Sequence, residues 1–412
     1  MVDPTDQRGP LPGDLGEVPT VFACFLCYGA LFFDRLAPLY LIAFVTDDLP
    51  VREGGDGILA LSIGVGWAAS MALAHWSSGR WSNRQRVLVA TAGAATFGLA
   101  SLFAPAWTAF CALRGLGGLF AGTAAPPITA LTFAASPSRR RGLDLGIVQA
   151  STRMFGSLAA PVVVTTVAVW QGWTAALATS TAFVALGAVV LATLVPTRPR
   201  PARPAAARDG ALTYRPAGRR NVALCAVVSA ALVAWLITTS QSAVPLVEQW
   251  LGVGPSAAGR VVGWFGVGAA GAALIVPIAS DWVGRHQSLS VATLVGAAGG
   301  LTMVYAAANG MWASGAVASV LMAVAGVAMG GLPLVISIIP AEAVATGEVG
   351  RALVLPIVAA ELVGGAAVPA LAAAAVPAVG LPVAVGGTAL GLVLAAVLGM
   401  AMTTAGEGVA AA

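Results

Sequence analysis

Apolar residues run through this chain in long stretches, and short polar segments separate them. A helix needs about 20 predominantly apolar residues to cross a bilayer. The pattern therefore predicts an all-α membrane protein with twelve transmembrane helices, near residues 19–45, 57–78, 87–105, 107–135, 143–168, 172–195, 219–247, 258–280, 287–309, 311–338, 350–375 and 378–403.

The composition excludes a soluble globular protein. Hydrophobic residues make up 58% of the 412 positions and charged residues only 9%, against about 25% charged in ordinary soluble domains. We therefore expect a multi-pass protein of the cell's inner (plasma) membrane. The four cysteines lie in apolar stretches and are expected to be packed thiols. The first apolar stretch lacks a basic leader and a cleavage site, so we expect it to be a retained helix.

The arginines predict the orientation of the chain. The chain has no lysine, and with the N-terminus inside, 16 of its 21 basic residues fall in cytoplasmic segments. Two, Arg52 and Arg260, fall outside, and three fall within predicted helices. Because cytoplasmic loops carry an excess of basic residues, both termini are predicted to be cytoplasmic.

The longest polar segment divides the predicted helices into two sets of six. Residues 196–218 are rich in Pro and Arg, which is typical of an extended linker. We expect an N-terminal six-helix bundle (1–195), a cytoplasmic linker (196–218) and a C-terminal six-helix bundle (219–412).

The two sets repeat each other. Residues 75–84 follow the second helix and residues 277–286 follow the eighth; the motifs Gly64-Val-Gly66 and Gly266-Val-Gly268 precede them at an offset of 202. In the fifth and eleventh helices, Arg153 aligns with Glu361 at an offset of 208. Paired repeats are the architecture of many alternating-access carriers.

These motifs resemble the major facilitator superfamily over essentially the whole chain. The family's cytoplasmic loop motif, Gly-x-x-x-Asp-Arg-x-Gly-Arg-Arg/Lys, is partly retained in both copies. The first copy has Arg80 and Arg84 with Gly79 in place of Asp, and the second has Asp281, Gly284 and Arg285. The resemblance implies that these residues tune the balance between inward and outward conformations.

Adjacent Asp34 and Arg35 in the first helix are similar to a pair in the anion:cation symporter branch and in spinster-type lipid carriers. Arg114, followed by Gly117-Gly118, resembles the family's Arg-x-x-x-Gly motif, which is linked to proton transfer or substrate anchoring. Many members of those groups carry an acid about two turns later, where this chain has Ala121.

Five ionisable residues lie inside predicted helices: Asp34, Arg35, Arg114, Arg153 and Glu361. A charge at the membrane centre costs at least about 2.5–3.5 kcal/mol, so such residues usually serve function. Three bases and two acids leave one positive charge, which favours an anionic substrate.

The expected function is proton-coupled transport of a small organic anion such as a carboxylate. We expect Arg35, Arg114, Arg153, Tyr28 and Gln241 to bind the substrate. We expect Asp34 and Glu361 to bind the proton. Their repeat-equivalent positions suggest that Arg153 and Glu361 face each other, either as a gate or as a structural pair.

Two other functions remain open from the residues: a proton-antiport exporter of drugs or secondary metabolites, and a non-transporting membrane receptor. The sequence favours no enzyme, since it has no phosphate-binding Gly-rich Lys loop and no metal-ligand spacing. We expect no cofactor, no metal and no nucleic acid, and a monomer with protons and the bilayer as its partners.

Overall fold

The structure is a computed structural model, and it describes residues 17–51, 55, 57–77, 80–137, 140–196, 214, 218–311, 313–344 and 352–402. The predicted linker lies almost wholly outside the described residues, as do Gly79 and Arg52. The described residues are helical apart from short turns and one isolated bridge between Tyr214 and Val344.

Twelve helical segments follow one another along the described chain, several of them composite. They are α1 (Glu17–Tyr40, continued by Ile42–Asp48), α2 (Gly57–Ser77), α3 (Asn83–Ser101), α4 (Trp107–Gly122 and Ala125–Ala135), α5 (Arg141–Arg153, Met154–Ala159 and Ala160–Gln171), α6 (Trp173–Leu194), α7 (Gly218–Leu251), α8 (Pro255–Val283), α9 (Arg285–Ala308), α10 (Gly315–Gly326, Val327–Gly331, Leu334–Ile338 and Ile339–Glu342), α11 (Val354–Ala359, Ala360–Ala367 and Val368–Val379) and α12 (Leu381–Met400).

Eleven helices in the described part of the chain are long and apolar enough to cross a membrane, and α3 is not among them. The prediction placed this helix at 87–105, but it begins at Asn83. Ser82 caps it: its hydroxyl accepts a hydrogen bond from the Gln85 backbone, and the Gln85 side chain accepts one from the Ser82 backbone. This cap brings Arg84 and Arg86 into the first turn, which makes the helix more polar than the prediction assumed.

Repeat-equivalent glycines make equivalent close contacts. A Cβ on Gly66 in α2 would collide with the Gly115 carbonyl oxygen in α4. A Cβ on Gly268 in α8 would collide with the Ala323 carbonyl oxygen in α10. The sequence offsets seen above therefore appear as matching helix contacts, α2 with α4 and α8 with α10.

The first glycine of each motif packs against the opposite set of helices. A Cβ on Gly64 in α2 would lie 2.6 Å from the Gly365 carbonyl carbon in α11. A Cβ on Gly266 in α8 would meet the backbone at Ser157 and Leu158 in α5. Backbones thus approach closely at both junctions, as small residues allow in membrane helices.

Two segments of π-helix lie beside the candidate charges. Met154–Ala159 follows Arg153 directly in α5, and Ala360–Ala367 contains Glu361 in α11. Because a π-helix bonds i to i+5, it changes the rotation of the residues around it, and such segments are frequent at functional sites.

Candidate functional site

Arg35 and Glu361 form a bidentate ion pair between α1 and α11. The Arg35 Nη1 donates to the Glu361 Oε1 at 3.1 Å, and the Arg35 Nη2 to the Oε2 at 2.5 Å. The side chains are 3% and 13% exposed. The pair is therefore nearly dry, where parallel charged hydrogen bonds are strong.

Asp34, the neighbour of Arg35, pairs in another direction. The Arg114 Nη2 in α4 lies 3.3 Å from the Asp34 Oδ2, and Arg114 also donates to the Asp34 backbone carbonyl. The Ser180 hydroxyl in α6 donates to the Asp34 Oδ1 at 2.7 Å. Adjacent helix residues project about 100° apart, so α1 presents one charge to α11 and the other to α4 and α6.

Aromatic rings enclose the Arg35 guanidinium. Its central carbon lies 4.1 Å from the centre of the Trp67 ring and 5.5 Å from that of Phe32. Both are within the range of a cation–π interaction. The Arg35 Nε is buried and has no hydrogen-bond partner among the described residues, so the rings and Glu361 hold the guanidinium.

The space beside these pairs is small. A void of about 10 Å³ lies between Asp34, Arg35, Trp67 and Arg114. This is close to the volume that one water needs. The described conformation is therefore closed around the two ion pairs.

Arg153 differs from the other two intramembrane arginines. It is buried, it takes part in none of the ion pairs of the described residues, and its Nη1 has no hydrogen-bond partner there. Electrostatic interactions link it to Tyr28, Tyr40, Arg35 and Glu361. Since each of the other arginines has a carboxylate, the surplus positive charge of the site resides on Arg153.

The suggested facing pair of Arg153 and Glu361 is corrected by this geometry. Glu361 binds Arg35, and Arg153 lies within electrostatic range without bonding to it. The physical reason is that Arg35 donates to both carboxylate oxygens of Glu361 and already compensates the charge of this carboxylate.

Tyr28 lies among the same charges, with electrostatic interactions to Arg153, Arg35 and Glu361. Its ring packs edge-on against Phe32, with centroids 5.2 Å apart. Tyr28 therefore links the aromatic enclosure of Arg35 to Arg153.

A larger cavity, of about 380 Å³, lies toward the end of the bundle that the arginines predict to be external. Gln241 and Tyr40 line it, and the Tyr40 hydroxyl lies 3.1 Å from the Ser240 hydroxyl. This hydrogen bond joins α1 to α7. Tyr40 thus contacts the cavity on one side and interacts with Arg153 on the other.

The second loop motif forms an ionic network at the predicted cytoplasmic end. Arg285 binds Asp281 at 2.5 Å and Glu342 at 3.3 Å. Gly284 has φ of 106°, a conformation that favours glycine. The network ties the ends of α8, α9 and α10 together.

The first loop motif is held by backbone carbonyls. Arg84 donates to the Ala192 carbonyl oxygen in α6 at 2.7 Å. Arg80 donates to the Trp76 carbonyl oxygen and stacks on the Trp76 ring at 4.2 Å.

Sequence reasoning missed Trp67, Ser180 and Glu342. Trp67 and Ser180 sit in apolar stretches that carry no charge signal. Glu342 had a usable signal, because it is an acid just after the predicted helix at 311–338.

The sequence profile of the Major Facilitator Superfamily matches residues 22–355, more than half of the chain. No curated protein sequence matches this chain.

Solved structures of transporters resemble the fold over nearly its whole length. A D-xylose–proton symporter has a TM-score of 0.73 and 19% identity, with 95% of this chain and 98% of that chain covered. An inward-facing, unoccupied bacterial homologue of the human lysosomal transporter Spinster has a TM-score of 0.70 and 14% identity, with 94% and 96% covered. A POT family transporter in complex with 5-aminolevulinic acid has a TM-score of 0.75 and 9% identity, with 95% and 96% covered. At these identities the likeness concerns the fold alone.

Proposed function

The chain belongs to the Major Facilitator Superfamily and is a multi-pass membrane transporter, and we propose that it carries a small organic anion in a proton-coupled cycle. Two six-helix units, residues 1–195 and 219–412, rock against each other and expose the site alternately. In this proposal all twelve helices cross the inner membrane, both termini are cytoplasmic, and the monomer is the working unit.

The observation that supports an anionic substrate is the uncompensated positive charge on Arg153. Arg35 and Arg114 already hold carboxylates of the protein. A buried guanidinium without a partner is unfavourable until an anion arrives. A carboxylate is a suitable ligand, since a guanidinium binds it through two parallel hydrogen bonds.

The Arg35–Glu361 pair supports proton coupling. A proton on Glu361 removes the negative charge that holds Arg35 and so weakens a link between α1 and α11. Asp34, by contrast, binds helices of the same half, α4 and α6. Glu361 is therefore the better proton site for a step that separates the two halves, and Asp34 holds Arg114 in place.

In the proposed cycle the substrate anion binds Arg153, and protonation of Glu361 frees Arg35 to join it. The anion then replaces Glu361 as the partner of Arg35. The charges of the added proton and the added anion cancel, so the site keeps its single surplus positive charge while the two halves change their contact. Loss of the proton on the opposite side restores the Arg35–Glu361 pair and expels the anion.

Uptake into proteoliposomes tests this proposal. A panel of labelled carboxylates is offered with an inward proton gradient, and we expect a saturable uptake that Arg153→Ala abolishes. Arg260→Ala is the matched control, because Arg260 is exposed and bonds only to Ser256 in the described residues. Transport restricted to cations or neutral compounds, unchanged in Arg153→Ala, would overturn the proposal.

A second candidate is proton-driven export of drugs or secondary metabolites. The apolar cavity near Tyr40 favours it, since such compounds are hydrophobic. It ranks lower because both intramembrane acids are paired with arginines, which leaves no negative charge for a cationic drug at the centre.

A further inference from the structure

We propose that the carried anion is an elongated monocarboxylate whose apolar body occupies the outer cavity and whose carboxylate reaches Arg153. This inference rests on the proposed function and names its substrate class. The outer cavity, of about 380 Å³, falls in the size range of small-molecule sites.

The cavity walls are mainly apolar. They come from the outer ends of α1, α7 and α11 and from the first residues of α8 and α12, and they include Leu39, Ile42, Phe44, Val244, Val376 and Leu381. Burial of apolar surface contributes roughly 25 cal/mol per Å². Hydroxyl groups of a sugar acid would find few hydrogen-bond partners on such walls, which disfavours that class.

The two ends of this path have opposite charge. Glu248 lines the cavity, and none of the ion pairs among the described residues involves it. Tyr40 and Gln241 line the same cavity nearer the centre, and Arg153 lies within electrostatic range of Tyr40. A ligand extended along the path therefore has a cation at its inner end and an acid at its outer end.

Two polar residues of α7 that line the cavity have a spacing that follows from the helix. Gln241 and Glu248 are seven residues apart on this helix, which corresponds to about 10.5 Å at 1.5 Å per residue. An unbranched acid of about eight carbons spans that distance with its carboxylate beside Gln241, before this carboxylate moves on to Arg153. Such a chain places its far end next to the Glu248 carboxylate.

Selectivity at the far end follows from Glu248. A second carboxylate there is repelled, a methyl group is tolerated and an ammonium group is attracted.

Tyr40 must move to join the cavity to Arg153, because its hydroxyl bonds Ser240 across α1 and α7. The cavity therefore selects the body of the substrate before its carboxylate reaches the centre.

Three probes that differ only at the far end test this inference: octanoate, octanedioate and omega-aminooctanoate. Equilibrium binding to the purified protein is measured by competition with labelled octanoate, because neutral octanoic acid crosses bilayers unaided. We expect the amino acid to bind best, octanoate next, and octanedioate about fivefold more weakly than octanoate, as for one partly exposed like-charge contact.

Glu248→Gln should bring the three affinities together and leave octanoate unchanged. Glu17→Gln, which removes a partly exposed acid at the predicted cytoplasmic end, should keep the original order. Octanedioate binding as tightly as octanoate, or an unchanged order in Glu248→Gln, would overturn the inference.

The binding results distinguish a failure of this inference from a failure of the proposed function. Short carboxylates or sugar acids that bind in an Arg153-dependent way, with octanoate failing to compete, would overturn the elongated apolar class alone. The absence of Arg153-dependent binding for every anion tested would overturn both.

Discussion

Arg35 and Glu361 stand 326 positions apart in the sequence, yet their side chains meet through two parallel hydrogen bonds. One residue lies in α1 and the other in α11. The contact therefore joins the first half of the chain to the second inside the bilayer region. Any movement that separates these helices has to break a nearly dry ion pair, which is strongly destabilising while both groups remain charged.

Replacement of Glu361 by Gln should uncouple transport from the proton. The amide keeps the shape of the side chain but cannot take up or release a proton. We expect anion exchange across the membrane to persist, and accumulation driven by a pH gradient to disappear. Counterflow and gradient-driven uptake, measured in the same proteoliposomes, separate the two effects.

Glu17→Gln serves as the control for this experiment, since Glu17 forms a half-exposed pair with Arg140 at 3.4 Å. It should retain both activities. If Glu361→Gln still accumulates the anion in response to a pH gradient, Glu361 is not the coupling residue and Asp34 becomes the candidate.

Asp34 and Arg114 should show strong energetic coupling. Removal of either partner leaves a buried charge without compensation, which costs about 3–5 kcal/mol. We expect Asp34→Ala and Arg114→Ala each to lower the unfolding midpoint, and the double variant to lose less than the sum. Tryptophan fluorescence during thermal unfolding in detergent provides the measurement.

The exposed pair of Arg140 and Glu17 offers a matched double-mutant cycle. Its side chains are 48% and 27% exposed, so its coupling should be at most about 1 kcal/mol. Additive effects in the Asp34–Arg114 cycle would mean that this ion pair contributes nothing beyond its separate side chains.

The sequence identified which residues are charged inside the membrane, but not how they pair. Apolar length, arginine distribution and repeat offsets predicted the all-α membrane class and located Asp34, Arg35 and Glu361. The repeat aligned Arg153 with Glu361 and so suggested that they meet. The π-helical segments beside both residues alter the rotation of the helix, and no pattern in the sequence predicted these segments.

The neutral residues that contact the charged side chains could not be predicted from the sequence either. Trp67 stacks on Arg35 and Ser180 donates to Asp34, yet each looks like an ordinary residue of a membrane helix. Their roles depend on the crossing of α1 with α2 and α6. Hydrophobic length predicts such helices but not the faces by which they meet.

The membrane topology provides a test of α3, the helix that is too polar to count among the eleven apolar ones. If α3 crosses the membrane, position 171 after α5 is external and position 80 before α3 is cytoplasmic. A cysteine at Gln171 should then react with an impermeant maleimide in intact cells. A cysteine at Arg80 should react only after permeabilisation.

The native cysteines give little background in this experiment, because Cys24, Cys27, Cys111 and Cys225 are buried. If α3 lies outside the bilayer, the orientation of all later helices reverses. Labelling of both positions from the same side would therefore reject the twelve-helix topology.

Gly64 should control whether α2 and α11 can close on each other. A Cβ at this position would lie 2.6 Å from the Gly365 carbonyl carbon, so the larger side chain of Gly64→Val forces the two backbones apart. Because a substitution shifts the population toward conformations that accommodate it, we expect Gly64→Val to favour the state in which α2 and α11 are separated. Spin labels at Ile58 and Val379, both exposed, should report longer distances by pulsed electron resonance.

Gly271→Val is the control, since a Cβ on Gly271 in α8 meets nothing within 4 Å. Unchanged distances together with a lower unfolding midpoint would show that this contact stabilises the fold without setting its conformation.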